Sequence, residues 1–234
     1  MGTLRPGAPA GAYPSLRTLP ATALEKDVTP CPRSRPRAAP PHAPCRRRPT
    51  GGAFRPITET GHPLLHRRCA EVSTFGTEDL AQLLRDMFVT MHVAGGVGLA
   101  ANQVGVDLRL FVYDCPDDTG ARHIGHVLNP ELRLTDMTLI TRREGCLSVP
   151  GGASEPPRAA GATVTGHDWR GRPVTVHGTG LFARCLQHET DHVDGILYVD
   201  KLAEAERERV LRQMRENRAA VLAEREDRAR SMAR

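Results

Sequence analysis

The chain has 234 residues, a length at which one hydrophobic core is the default, so a single globular domain is predicted. Residues 1–53 hold 9 of the 32 Lys and Arg residues but only 2 of the 27 acidic residues, so they account for the net charge of +5. The remainder is slightly acidic, and no specific DNA partner is expected. No window approaches the roughly 20 apolar residues of a membrane span, and no secretory signal is visible, so we expect a cytoplasmic protein without a membrane partner.

Residues 1–53 also contain 11 of the 19 prolines and few large apolar side chains. This composition suits neither a helix nor a buried strand and predicts a disordered Pro/Arg-rich extension. Passive disorder and an incorrect start codon together are favoured, while a nucleic-acid-binding arm and an organellar transit peptide stay open. The six cysteines of the chain are irregularly spaced without a Cys-x-x-Cys pair, so no disulfide framework is expected.

The segments that follow show helical and strand patterns in turn. Apolar residues at three- and four-residue steps predict a helix over residues 78–92. The short β-branched and aromatic run at 108–114 predicts a strand, with 126–129 as its partner. Residues 162–167 and 173–177 flank a turn-like connection and predict a hairpin.

The last third of the chain is predicted to contain two helices. One begins near Leu181 and ends near Gly195, and it carries His188 and His192. Residues 202–234 are dense in Arg and Glu with a sparse apolar stripe, which predicts an amphipathic and largely exposed helix. The predicted fold class is α+β, with small antiparallel sheets packed around the central histidine-bearing helix and a C-terminal helix.

The strongest local motif is His188-Glu-Thr-Asp-His192. Two imidazoles four residues apart lie on one helical face and can reach one metal ion, while Glu189 lies beside them. Chance occurrence is the alternative, but the helical context favours a metal site. The third ligand is open at this point. The pattern with a third downstream His is disfavoured because Tyr198 occupies that position.

Two upstream segments bear on the third ligand. Cys146 lies in a Glu-Gly-Cys-Leu-Ser-Val-Pro run over residues 144–150, expected to be a short extended loop. Residues 96–103, Gly-Val-Gly-Leu-Ala-Ala-Asn-Gln, form a small-residue loop that lets backbone approach a ligand closely. Taken alone, these are an ordinary buried thiol and a tight turn. A zinc metallopeptidase would instead take its third ligand from Glu204, Glu206 or Glu208.

Together the three segments resemble the peptide deformylases over about residues 54–200, in the family's order. The resemblance implies a metal-dependent hydrolase that removes the formyl group from the formyl-methionine of nascent polypeptides and releases formate. It implies a catalytic domain over 54–200 and a separate charged helix over 201–234. The implied metal ligands are Cys146, His188 and His192, with water in the fourth position.

The same resemblance implies the other roles at the site. Glu189 is the implied general base, and Gln103 and the N–H of Leu147 are the implied donors to the formyl oxygen. The peptide is expected to bind as an added strand along Val97, Gly98 and Gly145. The implied ion is Fe²⁺, while Zn²⁺ and Ni²⁺ remain open.

One residue departs from the pattern we expect for the family. Arg184 stands where an aliphatic residue would line the methionine pocket. We expect its stem to line that pocket and its charge to reach solvent.

The C-terminal segment has two interpretations. From Lys201 onward there are 10 basic and 7 acidic residues, which suits either docking on the ribosome or a solvated helix with Glu–Arg pairs. Docking predicts that truncation after Leu202 leaves peptide deformylation unchanged. A structural metal module with an RNA-binding arm and an inactive deformylase-like protein are the remaining alternatives to the enzyme.

Overall fold

The computed structural model describes residues 51–232, so the extension predicted over 1–53 lies almost entirely outside the described part. Three α-helices and seven β-strands follow one another in this part, joined by short 3-10 turns. They are α1 (Glu78–Val93), β1 (Gly98–Ala100), β2 (Leu110–Pro116), β3 (Arg122–Thr141), β4 (Glu144–Cys146), β5 (Val149–Ser154), β6 (Pro157–His167), β7 (Pro173–Thr179), α2 (Gly180–Val193) and α3 (Glu204–Met232).

The strands form two antiparallel sheets, which confirms the α+β class. Five strands are ordered β1-β2-β3-β6-β7, and β4 pairs with β5. The predicted pairing of residues 126–129 with β2 is confirmed, because Leu110 lies opposite Leu128. The predicted hairpin is also confirmed, as β6 and β7 pair across the turn at residues 168–172.

Strand β3 is much longer than the four residues predicted. Its second half is largely exposed on both faces, although Glu131-Leu-Arg-Leu-Thr135 alternates polar and apolar residues as a half-buried strand does. This half is held by backbone pairing with β6, which continues through three irregularities in register. The alternation at residues 131–135 was a strand signal that the prediction from sequence did not use, whereas the pairing of this half with β6 could not be seen from local periodicity.

Helix α1 matches its predicted bounds to within one residue. The Thr77 side chain caps it by accepting a hydrogen bond from the backbone N–H of Leu80 at 3.2 Å. Its apolar face packs on one side of the large sheet, against buried residues such as Leu99, Leu110 and Val112. This packing supports the backbone that runs from the end of α1 into β1.

Helix α2 follows β7 directly and packs against the other side of the large sheet. Phe182 and Leu186 share a buried cluster with Phe111 and Val164. The helix ends where predicted: Gly195 has φ of +80°, and a side chain there would overlap the backbone of Arg67. Position 195 therefore requires a glycine.

Helix α3 is largely exposed, as predicted, but the apolar residues along one side of it complete a third core cluster. Val210 and Met214 are buried together with Cys146, Val149 and Tyr198. The helix thus supports the small β4–β5 sheet from behind. None of the helices within residues 51–232 is both long and apolar enough to cross a bilayer.

Candidate active site

Three predicted ligands from two elements come together in the interior. Cys146 is the last residue of β4, and His188 and His192 lie one turn apart on α2. One potential ligand atom from each lies within 4.8 Å of the other two, and all three residues are buried. Sγ of Cys146 is 3.1 Å from Nε2 of His192.

This geometry fits a divalent transition-metal ion. Ligands that share a tetrahedral ion at about 2.0–2.3 Å lie about 3.5 Å from one another. Nδ1 of His188 is 2.7 Å from Oε1 of Glu144, which leaves Nε2 as the free ring nitrogen. A thiolate and two imidazoles suit Fe²⁺, Ni²⁺ or Zn²⁺ better than Mg²⁺ or Ca²⁺. Three protein ligands leave a position for water or substrate, as in catalytic and not structural sites.

The glutamates proposed for a zinc metallopeptidase do not join this cluster. Oε1 of Glu206 accepts a hydrogen bond from Ser154 at 2.7 Å, and the same carboxylate pairs with Arg209 at 2.5 Å. Glu204 and Glu208 are exposed at the start of α3. The start of α3 packs along β5, where Ser154 and Arg209 hold the carboxylate of Glu206.

A buried carboxylate orients the first histidine. Glu144 bonds His188, and it also accepts from Arg158 Nη2 at 2.6 Å and from Arg184 Nη1 at 2.7 Å. Burial by itself would raise the pKa of Glu144, but the hydrogen bonds and positive charges of His188 and Arg158 hold it well below its usual range. The ionised carboxylate fixes the ring of His188 and raises its basicity as a ligand.

The expectation that the charge of Arg184 reaches solvent is wrong. Its side chain lines the cavity beside His188, but its charge points inward and not to solvent. The guanidinium donates to Glu144, to the carbonyl of Pro156 at 2.9 Å and to the carbonyl of Ile140 at 2.6 Å. Three acceptors from distant segments, two of them buried, compensate for removing the charge from water. No local pattern around position 184 could indicate them.

Glu189 is buried against the opposite wall of the site. Its Oε2 has no hydrogen-bond partner within residues 51–232. A side chain at position 98 would overlap Oε1, so Gly98 is the residue type that allows β1 to pass this close. Burial raises the pKa of Glu189 to about 7, and the nearby carboxylates of Glu144 and Asp191 contribute in the same direction. Such a carboxyl can both accept and donate a proton near neutral pH.

Gln103 lies on the 3-10 turn that follows β1, and the segment predicted as a loop is therefore a short strand followed by this turn. Its Oε1 accepts from the N–H of Ala100 at 2.9 Å, which fixes the amide orientation. Its Nε2 lies 3.1 Å from Oγ of Ser148 and 3.6 Å from Sγ of Cys146. The amide donor is thus held beside the thiol, next to Leu147.

A cavity of about 420 Å³ leads from these groups to the surface. One lip is formed by residues 95–98, including Val97 and Gly98, and the other by residues 145–147, including Gly145 and Leu147. Both lips contain strand backbone, from β1 and β4. An extended peptide can therefore lie between them and pair with either edge.

Several residues at the site were not singled out as functional from the sequence. Glu144 was visible beside Cys146, but nothing local tied it to His188. Arg158 had no signal at all. Cys185 lines the cavity one turn before His188, and Arg225 reaches the cavity from α3. Their positions depend on contacts between remote segments.

The chain resembles known proteins over most of its described length. The family model described as polypeptide deformylase matches residues 54–208. A protein named peptide deformylase 1 from Streptomyces avermitilis is 55% identical over 171 residues, covering 71% of this chain and 78% of that protein. Peptide deformylase 2 from Streptomyces coelicolor is 53% identical over 163 residues, covering 70% and 90%.

Solved structures give the same likeness in three dimensions. The crystal structure of a peptide deformylase from Legionella pneumophila superposes with a TM-score of 0.65 at 40% identity, covering 72% of this chain and 97% of that one. A peptide deformylase from Ehrlichia chaffeensis in complex with actinonin also gives 0.65, at 30% identity, covering 70% and 98%.

Proposed function

The chain belongs to the polypeptide deformylase family, and from that premise we propose which of its residues remove the formyl group from the N-terminal methionine of nascent polypeptides. The reaction is a metal-dependent hydrolysis of an amide, and its products are formate and a free α-amine. We propose below the role of each residue, the identity of the metal ion and a contact with the ribosome.

Cys146, His188 and His192 are the proposed ligands, supported by their convergence within 4.8 Å. A divalent ion held there would act as a Lewis acid and lower the pKa of a water molecule towards about 7. The proposed native ion is Fe²⁺, with Zn²⁺ and Ni²⁺ as alternatives that the same donors accept. The helix that carries both histidines is then the central element of the catalytic domain.

Glu189 is the proposed general base. Its carboxylate takes a proton from the attacking water and later delivers it to the nitrogen of the leaving amine. The burial that raises its pKa and the partnerless Oε2 support this role, because both leave the carboxylate available to a reacting group.

Gln103 and the backbone N–H of Leu147 are the proposed oxyanion donors. Attack on the formyl carbon places negative charge on the formyl oxygen, and fixed donors that point at that charge stabilise the transition state. Gln103 meets this requirement because the N–H of Ala100 anchors its Oε1 and its Nε2 faces Ser148 and Cys146. The peptide backbone is proposed to bind along Val97, Gly98 and Gly145, with Arg184 lining the methionine pocket.

The observation that carries the proposal is that a buried thiol from β4 meets two histidines from α2 beside a cavity. The test is formate release from a formyl-methionyl peptide by protein purified without oxygen, with bound metal measured in the same sample. Cys146→Ser should lose metal and activity, because a hydroxyl is a much poorer ligand than a thiolate.

Cys185→Ser is the matched control, since this buried thiol lines the same cavity but lies outside the ligand cluster. Equal metal loss in both variants, or wild-type metal content in Cys146→Ser, would contradict the ligand assignment. Reconstitution with Fe²⁺, Ni²⁺ or Zn²⁺ separately, followed by the same assay, identifies the ion that gives the native rate.

We further propose that the enzyme works in the cytoplasm and docks on the ribosome through α3. Arg212 and Arg215 support docking, because both are exposed and have no charged partner within residues 51–232. Reversal of both charges to Glu should weaken co-sedimentation with ribosomes and its salt dependence, while deformylation of short peptides stays unchanged. Undiminished co-sedimentation would reject docking through this face.

A further inference from the structure

The far end of α3 lies against both lips of the cavity. On one lip, Nη2 of Arg225 donates to the carbonyl of Leu147, the residue after Cys146, at 3.1 Å. Nη1 of Arg228 donates at 3.5 Å to the carbonyl of Val93, the last residue of α1, and packs over Gly95 of the other lip. The two arginines are three residues apart and share one face of the helix.

The two lips also touch each other at this end. A side chain at Gly96 would come within 2.7 Å of Cδ1 of Leu147, so the leucine covers the backbone of the first lip. A shift of Leu147 would therefore change the distance between the lips. Arg225 is the side chain from α3 that bonds Leu147 directly.

An arginine at position 225 is unfavourable for the stability of the fold. It is only 6% exposed, and its Nε and Nη1 have no partner within residues 51–232. Burial also lowers the pKa of its guanidinium. Each buried donor left unpaired costs about 1–3 kcal/mol, so an apolar side chain would suit the fold better. A benefit other than stability is needed to account for an arginine here.

We propose that the end of α3 is a third wall of the substrate groove and that Arg225 is a positioning residue for deformylation. By holding the Leu147 carbonyl it sets the width of the groove where the residues after formyl-methionine lie. This inference rests on the proposed function, because it assumes that the peptide lies between the two lips. It gives the C-terminal helix a role in substrate binding that is separate from any docking.

The test compares Arg225→Met and Arg225→Lys with wild type and with Arg230→Met. Arg230 is an exposed arginine on the same helix that pairs with nearby Asp227. In Arg225→Met we expect KM for formyl-Met-Ala-Ser to rise about tenfold, the size of one charge-assisted hydrogen bond. We expect a smaller fall in kcat, because Leu147 also carries a proposed oxyanion donor. Formyl-methionine itself should be affected much less. Tm should stay equal or rise, and Arg225→Lys should recover much of the KM.

A merely structural role predicts a different pattern. Tm and kcat would then fall together in Arg225→Met, equally for both substrates, and this result would overturn the inference, as would an unchanged KM. Calorimetric binding of the product peptide Met-Ala-Ser to wild type and to Arg225→Met gives a readout independent of chemistry. Absence of formate release by wild type would count against the proposed function, while weaker peptide binding by the variant would still support the groove wall.

Discussion

Helices α2 and α3 are both rich in polar residues, but these residues are mostly buried in α2 and mostly exposed in α3. Most of α2 is buried, and its polar residues meet partners from remote strands, as Arg184 and His188 meet Glu144. Of the 29 residues of α3, only Val210, Met214 and Arg225 are buried. Many polar side chains of α2 line or support the site, whereas most of those of α3 are exposed to solvent. Arg225 is the exception, because it is a buried charged residue on the exposed helix.

The largest expected effect concerns Glu189 of α2, whose buried Oε2 has no hydrogen-bond partner in the described part of the chain. Glu189→Gln should lower kcat by a factor on the order of 100 to 10,000 while metal content stays at the wild-type level, because the residue is assigned to proton transfer. Formate release and metal analysis on the same sample check this. Glu216→Gln, the same change on the exposed face of α3, is the control and should behave as wild type.

Removal of the carboxylate that links β4 to α2 should affect both stability and metal binding. Glu144→Gln leaves Arg184 buried without its counter-ion and removes one of the two carboxylates that pair with Arg158, the other being Asp191. We therefore expect the free energy of unfolding to fall by about 3–5 kcal/mol. Metal affinity should fall about 10- to 100-fold because His188 loses its orienting partner. Denaturant unfolding and metal titration measure the two effects. Glu206→Gln, which breaks an ion pair on α3, should hardly change either quantity.

Truncation of α3 separates its two halves. Deletion after Leu202 removes Val210 and Met214 from the cluster that contains Cys146, and losing one such buried side chain costs about 2–5 kcal/mol. Contrary to the prediction from sequence, we therefore expect this truncation to lower both Tm and peptide deformylation. Deletion after Leu222 keeps these residues and should largely preserve Tm. Equal Tm values for the two truncations would contradict the packing role of the first half.

The smallest effect is a dependence of stability on pH. Burial raises the pKa of Glu189 to about 7, so its proton stabilises the fold at low pH, and this contribution is lost as pH rises from about 5 towards 8. Glu189→Gln should therefore gain stability relative to wild type over this range, by at most about 3 kcal/mol. Denaturant unfolding of the metal-free proteins at pH 5 and pH 8 tests the sign. An identical difference at both pH values would show that Glu189 does not titrate in this range.

Much of the framework was predictable because its signals are local. The apolar steps of α1, the hairpin of β6 and β7 and the end of α2 at Gly195 each depend on residues within one or two turns. The spacing of His188 and His192 likewise places both rings on one helical face. Family resemblance, and not spacing, selected Cys146 as the third ligand.

Only the tertiary structure decided how these parts meet. Glu144 and His188 are 44 residues apart in the chain, and Leu147 and Arg225 are 78 apart. The charges of Arg184 and Arg225 are buried next to acceptors that come from other segments of the chain. Hydrophobic periodicity contains no information about where those acceptors lie. The sequence by itself therefore determined the elements and the histidine pair. Folding determined which charges lie inside and that the C-terminal helix reaches the groove.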